Sequence, residues 1–157
     1  MEEFDLHNCS LFRGVDEEYI DEFLASGDLV ELRQGEFLFH QNEIGDAMYI
    51  VEQGELQVIL DEGMAESNSQ KTRIIGTRER GALIGELCVF GQQKRSASVK
   101  ALVDSRLLKI EGEDFRIRIY SKELDALLIS YNIAKVLSEH LSTTNTLLTS
   151  YLPFKGR

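Results

Sequence analysis

The chain of 157 residues contains only two cysteines, Cys9 and Cys88, and they do not form a Cys-x-x-Cys pair. This scarcity gives no sign of a disulfide framework or a zinc site. A chain of this length can bury a sufficient core without either device. Both cysteines lie in apolar segments, so we interpret them as buried, reduced packing residues.

Basic residues are also scarce: the chain has 17 Lys and Arg against 27 Asp and Glu, which gives a net charge of -10. A general nucleic-acid surface needs clustered cations that displace counterions, so direct nucleic-acid binding is not expected. Salt screens charges over about 8–10 Å, and one well-placed arginine can therefore still hold a small anionic ligand.

Long apolar runs are missing as well. The N-terminal segment MEEFDLHNCSLF is acidic and lacks the basic start and apolar run of a secretory signal. No apolar segment approaches the length of a membrane span. We therefore expect a cytoplasmic protein with no membrane association.

The patterns that are present divide the chain into three parts of one domain. Residues 1–27 are predicted to be helical, with Asp16 as an N-cap. Residues 28–111 show short alternating apolar segments separated by glycine-containing turns, a pattern that predicts a mainly β fold, an antiparallel β-roll. Within it, the polar segment 61–72 is predicted to be an exposed hairpin loop. Residues 121–152 predict a long C-terminal helix, which Pro153 ends.

The C-terminal helix carries a heptad seam. Leucine or alanine recurs every seven residues, and a second position lies between these repeats; the two sets are Leu127, Ala134, Leu141 and Leu148, and Leu124, Tyr131, Ser138, Asn145 and Leu152. Such a seam favours a parallel homodimer, and a buried asparagine commonly fixes its register. The alternative is a helix that lies on the body of its own domain.

The segment ALIGELCVFGQQKRSASVKAL, residues 82–102, places one carboxylate and one arginine nine residues apart. Gly85 permits a left-handed backbone before a short helical turn, whose first N–H groups lack partners within the turn. Arg95 can offer paired donors to a phosphate, and Ser96 adds a hydroxyl. Glu86 can accept a hydrogen bond from a ribose 2′-OH. Phosphate and ribose groups within one short loop indicate a cyclic nucleotide.

Two motifs in this sequence resemble the cyclic nucleotide-binding domain family, which includes catabolite activator-type regulators, kinase regulatory subunits and gated channels. They are GEFLFHQNEIGDAMYIVEQGELQV (35–58) and GALIGELCVFGQQKRSASVKA (81–101), the second matching the family's phosphate-binding cassette. The resemblance covers roughly residues 11 to 141. It implies a jelly-roll-like, double-stranded β-helix with short N-terminal helices and a long C-terminal helix.

The resemblance also implies the residues of the site. Those around phosphate and ribose are Gly85, Glu86, Leu87, Cys88, Arg95, Ser96 and Ala97, and the apolar walls around base and sugar are Val58 and Ile75. In the family the C-terminal helix closes on the base, and the candidates for that cap are Ser138, His140, Leu141, Thr143 and Thr144, from the chain itself or a dimer partner. Three departures from the family pattern are Lys94 for a proline, Ile84 for a phenylalanine and Asn42 for a glycine, and none removes a ligand group.

The expected function is non-enzymatic sensing of a cyclic nucleotide that repositions the C-terminal helix and thereby regulates an unknown effector protein or an attached module. The family's transcription factors add a helix-turn-helix after this helix, and the chain ends at Arg157, so no DNA-binding domain is expected in it. The ligand is expected to be cAMP, because no clear guanine-reading group stands near Ser96, and cGMP stays open.

Alternatives to this function remain. Glu86 and Arg95 can be a simple ion pair in an interaction or dimerisation module that no longer binds nucleotide. A β-roll also occurs in cupin-like metalloenzymes, but these need a closely spaced histidine pair. The histidines here are His7, His40 and His140, so no metal site or catalytic residue is predicted.

Overall fold

The computed structural model describes residues 5–64 and 70–151. The N-terminal part contains two 3₁₀ turns, Leu6–Asn8 and Ser10–Phe12, followed by helix α1, Glu17–Ala25. The side chain of Asp16 accepts a hydrogen bond from the backbone N–H of Glu18, which is the predicted N-cap arrangement. The chain then enters the β-roll.

Within the described residues, ten strands build this roll. Their bounds are β1 Asp28–Leu32, β2 Phe37–Phe39, β3 Ile44–Gly45, β4 Ala47–Gln53, β5 Glu55–Met64, β6 Gln70–Glu79, β7 Leu83–Ile84, β8 Gln93–Lys94, β9 Ser98–Ala101 and β10 Ser105–Glu111. One four-stranded sheet has the order β1-β10-β4-β7 and the other β2-β9-β5-β6, while β3 and β8 form a separate pair. The strand pairs are antiparallel throughout the described residues.

The domain has two apolar cores, one beneath the helices and one between the two sheets, and strand β4 contributes to both. Its first five residues are all buried, because both faces of the strand are covered. Met48 and Ile50 point toward the helices, whereas Tyr49 and Val51 point between the two sheets. A continuous apolar run is what a strand covered on both faces requires.

Two helices follow the roll. Helix α2, Gly112–Tyr120, packs against α1 through Phe115, whose ring meets that of Phe23 edge-on at 5.7 Å. Helix α3 spans Leu124–Tyr151. Its first half is anchored, since the buried Asn132 amide donates 2.9 Å hydrogen bonds to the carbonyl oxygens of Leu11 and Arg13. The antiparallel β-rich class with short N-terminal helices and a long C-terminal helix is thus confirmed.

The structure differs from the sequence-based expectation at the segment 61–72. Strands β5 and β6 extend into it as far as Met64 and from Gln70 onward. The ladder pairs Asp61 with Thr72, and Glu62 bonds Arg73 at 2.5 Å. Cross-strand ion pairing of this kind lets polar residues continue a solvent-exposed ladder.

The seam of α3 faces solvent. Every described member of the seam is exposed, namely Leu124, Leu127, Tyr131, Ala134, Ser138, Leu141, Asn145 and Leu148. A different stripe, which includes Ala126, Ile129 and Ile133, is fully buried against the body. The first half of α3 thus does lie on the body of its own domain, which was the alternative to pairing, but it does so through this other stripe and not through the seam. Leu152 and Pro153 lie outside the described residues.

Candidate functional site

The predicted cassette folds as a sharp turn after β7. Gly85 adopts φ 75° and ψ 23°, the left-handed conformation that glycine takes without strain, and caps a 3₁₀ helix over Glu86–Phe90. Gly91 ends that helix, and its N–H donates to the carbonyl of Cys88 at 3.0 Å. The chain then returns through β8 to Arg95. The predicted turn and its two glycine boundaries are present.

The cassette and the inner face of the roll enclose a partly open pocket with about 560 Å³ of empty space. Part of this space is open to solvent, and the enclosed part is about 100 Å³. Eight of the nine predicted contact residues line it: Val58, Gly85, Glu86, Leu87, Cys88, Arg95, Ser96 and Ala97. Phe39, Arg78 and Lys94 line it as well, and sequence reasoning did not nominate them.

Arg95 is held in a slot formed by two glycines. A Cβ atom on Gly45 would lie 2.3 Å from its Nε, and one on Gly85 would lie 2.5 Å from its Nη1. Its Cζ also stacks 4.2 Å from the centre of the Phe39 ring. No carboxylate of the described residues forms an ion pair with Arg95. The guanidinium is positioned without an ion pair, as an anion-binding group would be, although after Arg116 its charge also helps to lower the pKa of Asp46.

The loop before β3 fixes the backbone of Arg95. The Arg95 N–H donates to the carbonyl of Glu43 at 2.8 Å, and its carbonyl accepts from the N–H of Asn42 at 2.8 Å. Asn42, which stands where the family pattern has a glycine, has φ 70°, a left-handed conformation that asparagine tolerates. A segment distant in the sequence therefore sets the position of the arginine backbone.

Glu86 faces α3 rather than Arg95. Its carboxylate side chain is 13% exposed, and its Oε1 lies 3.7 Å from Nδ1 of His140. The simple Glu86–Arg95 ion pair, which was the alternative explanation for these two residues, is absent. The two side chains line one pocket and have different neighbours.

Among the five candidates for the base cap, only His140 comes near the pocket within the chain. Ser138, Leu141, Thr143 and Thr144 are exposed. The hydroxyls of the two threonines donate to the carbonyls one turn earlier, at 3.0 and 2.8 Å. These four side chains extend away from the body of the domain.

A paired arginine and aspartate support the cassette from behind. Arg116 of α2 donates to both carboxylate oxygens of Asp46, at 2.6 and 2.7 Å, and also to the carbonyl of Cys88. The Arg116 hydrogen bonds hold the pKa of Asp46 below its ordinary value. Burial raises the pKa of the Cys88 thiol to about 12, so it stays protonated as a packing group. Sequence reasoning missed this pair because its members lie 70 residues apart.

Ile75 is the predicted wall residue that does not line the pocket. In the β5–β6 ladder Val58 pairs with Gly76 and Ile59 with Ile74, so Ile75 is the extra residue of a bulge. It is 47% exposed. The same ladder pairs Leu56 with Arg78. Strand β6 therefore presents Gly76 and Arg78, not Ile75, on the side of the buried Val58 and Leu56.

Comparison with known proteins is consistent with this geometry. The family model of the cyclic nucleotide-binding domain matches residues 29–119, more than half of the chain. The chain belongs to this family.

Individual relatives are similar over most of the fold. The cyclic AMP receptor protein of Thermus thermophilus is 28% identical over 83% of this chain and 56% of its own length. The solved Thermus thermophilus catabolite activator protein has a TM-score of 0.74 and 26% identity, covering 89% of this chain and 62% of that one. The N-terminal domain of a transcriptional regulator from Streptomyces coelicolor A3(2) gives 0.70 and 25%, covering 91% and 95%.

These relatives are often longer than the chain. An uncharacterized ABC transporter ATP-binding protein of Mycobacterium tuberculosis is 30% identical over 59% of this chain but only 26% of its own length. The chain thus spans between about a quarter and just over half of these two curated relatives.

Residues 5–64 and 70–151 contain neither a metal cluster nor a membrane-spanning helix. No three histidine, cysteine, aspartate or glutamate side chains there converge in a group that could hold a metal ion. No helix in this part of the chain is long and apolar enough to cross a membrane.

Proposed function

We propose that the chain is a non-enzymatic sensor that binds a 3′,5′-cyclic purine nucleotide and repositions α3, which regulates a partner protein or an attached module. The observation that carries this proposal is Arg95, held between Gly45 and Gly85 without a carboxylate partner. In the same pocket Glu86 offers an acceptor for the ribose 2′-OH. Phosphate and ribose thus have separate recognition groups. The name of the Thermus receptor, which gives cyclic AMP as its ligand, supports the same class of ligand.

The route from pocket to helix begins at Glu86. His140 on α3 lies 3.7 Å from the carboxylate that would accept the ribose hydroxyl. A ligand that engages Glu86 changes what His140 contacts. It therefore binds with different affinity to the present position of α3 and to a second position in which His140 has moved away from Glu86. Such a difference in affinity is what a ligand needs to shift a conformational equilibrium.

Thermal melting tests binding directly. At a hundredfold excess over its dissociation constant, a ligand of the folded state stabilises it by about 2.7 kcal/mol. We expect cAMP or cGMP to raise the melting temperature, and linear 5′-AMP and 5′-GMP to act much more weakly. If no cyclic nucleotide shifts melting or gives heat in calorimetry, the chain is an interaction module without a nucleotide ligand.

We further propose that two copies pair in parallel through the exposed seam of α3. The seam offers Leu127, Leu141 and Leu148 at the same heptad position, and none of them is covered by the body. In such a pair, the exposed cap candidates Ser138, Leu141, Thr143 and Thr144 stand near the second copy, where they can close its pocket. Apolar side chains at a heptad spacing are the usual basis of helix pairing.

Two neighbouring leucines make a matched test of pairing. Leu147 and Leu148 are 48% and 52% exposed, but only Leu148 belongs to the seam. We expect Leu148→Glu to convert a dimer into a monomer in sedimentation equilibrium, because it places two like charges across the seam. Leu147→Glu is expected to stay dimeric. A monomeric wild type at high micromolar concentration, or equal effects of both substitutions, would reject pairing through this seam.

A further inference from the structure

Strand pairing places one more cation against the pocket. Directly opposed residues of an antiparallel pair point to the same face. Leu56 and Val58 are 0% and 8% exposed and face inward, so their partners Arg78 and Gly76 face the same way. Arg78 accordingly lines the pocket.

The guanidinium of Arg78 folds back along its own strand. Its Nη1 donates to the carbonyl of Thr77 at 2.9 Å and lies 3.4 Å from the place that a Cβ of Gly76 would take. It therefore lies over Gly76, beside Val58, on the wall of the roll. A single bond to Thr77 leaves other N–H donors of the five on a guanidinium unused.

Arg78 and Arg95 lie on different sides of the pocket. Arg95 is held against Gly45 and Phe39, whereas Arg78 also lines a groove that it shares with His140 of α3. Within the described residues no carboxylate forms an ion pair with Arg78. The pocket of this acidic chain thus contains two arginines without acidic partners, although a cyclic mononucleotide brings only one phosphate.

The second arginine needs an acceptor in the ligand. With phosphate at Arg95 and ribose at Glu86, the remaining part of the nucleotide is the base, and the wall left for it is the one formed by Val58 and Arg78. Guanine offers two acceptors, O6 and N7, that a guanidinium binds in a fork. Adenine offers N7 but places its N6 amino donor where O6 would be, and two donors do not bond to each other.

We infer that Arg78 determines base specificity and that the pocket prefers guanine over adenine, so that the ligand is a cyclic guanosine nucleotide. This inference rests on the proposed function. It replaces the expectation of cAMP from the sequence, which depended on the apparent lack of a guanine-reading group. A bidentate arginine contact discriminates between bases by roughly 5- to 150-fold.

Calorimetric titration of the full chain tests this with four ligands. Wild type is expected to bind cGMP at least about fivefold tighter than cAMP. Cyclic IMP retains O6 and N7 but lacks the 2-amino group, so it should bind like cGMP. 7-Deaza-cGMP lacks the N7 acceptor and should lose a large part of the preference.

Variants distinguish recognition of the base by Arg78 from the general effect of its positive charge on nucleotide affinity. Arg78→Leu should abolish the preference for cGMP while cAMP still binds, and Arg78→Lys, which keeps the charge but not the fork, should lose most of it. Arg80→Leu is the matched control, because Arg80 bonds the carbonyl of Glu52 and does not line the pocket. It should leave the ratio of the two affinities unchanged.

Each contrary outcome has a distinct meaning. Tighter wild-type binding of cAMP, or an equal loss of both affinities in Arg78→Leu, overturns the inference and leaves the proposed function intact. A lack of binding to all four nucleotides refutes the proposed function, and the base preference falls with it.

Discussion

Replacing Arg95 with alanine is the most direct test of the pocket. The guanidinium has no ion-paired carboxylate that its removal would leave buried and unpaired. Its Cζ lies 4.2 Å from the centre of the Phe39 ring and 5.9 Å from that of Tyr49. Loss of such stacking costs about 0.5–1 kcal/mol at partly exposed sites. The free protein should therefore stay folded and melt only a few degrees lower.

Binding should suffer far more than folding. Two charge-assisted hydrogen bonds to a phosphate contribute about 1.5–3 kcal/mol each, so their loss weakens affinity by about 10²- to 10⁴-fold. At a nucleotide concentration of a hundred times the wild-type dissociation constant, the wild type gains about 2.7 kcal/mol and the variant about 0.4 kcal/mol or less. For a chain of this size, these figures correspond to shifts in melting temperature of about 5–11 °C and below about 2 °C.

Differential scanning fluorimetry and calorimetry measure both quantities on the same samples. Arg106→Ala is the control, since Arg106 pairs with Glu52 and does not line the pocket. It should retain the full nucleotide shift. A normal shift in Arg95→Ala would refute the assignment of the phosphate to this residue. A variant that is unfolded without ligand would instead refute the view that the guanidinium is not needed for folding.

Two further outcomes are expected. Glu86→Gln should weaken binding of a cyclic ribonucleotide about tenfold but change binding of its 2′-deoxy analogue little, because only the ribonucleotide donates a 2′-OH to the carboxylate; equal losses measured by calorimetry would contradict the ribose contact. Asp46→Asn should flatten the acid limb of the stability curve. Arg116 holds the pKa of Asp46 below 3.8 in the folded protein, so the pair's contribution is present above that pH and lost as pH falls through the lowered pKa. Urea unfolding between pH 2.5 and 6 measures this, and an identical pH profile in the variant would contradict it.

The cassette could be predicted from the sequence because its geometry is local. Gly85, Glu86 and the turn to Gly91 lie within seven residues, and glycine marks the position where the backbone must enter the left-handed region that other residues avoid. The positions that were missed depend on pairing between distant segments. Whether Ile75 or Arg78 faces the pocket is decided by a bulge in the β5–β6 ladder, and no periodicity in β6 alone reveals where its extra residue falls.

The C-terminal helix shows the same limit. The seven-residue repeat correctly separated one face of α3 from the rest, but it did not show which face the body would cover. That choice depends on Ile129, Ile133 and Asn132, which meet the N-terminal turns and the helical core. The repeat at Leu141 and Leu148 describes the opposite face.

Helix α3 is anchored to the body of the domain at one end and projects from it at the other. Up to Leu137 the helix packs against the core, whereas nearly all side chains of residues 138–150 are exposed. The projecting part is about 20 Å long at 1.5 Å per residue. A tilt of about 10° at the anchored end would move its tip by roughly 3 Å, about the length of a hydrogen bond. A displacement too small to disturb the core at Ile133 is thus enough to make or break contacts at Ser150.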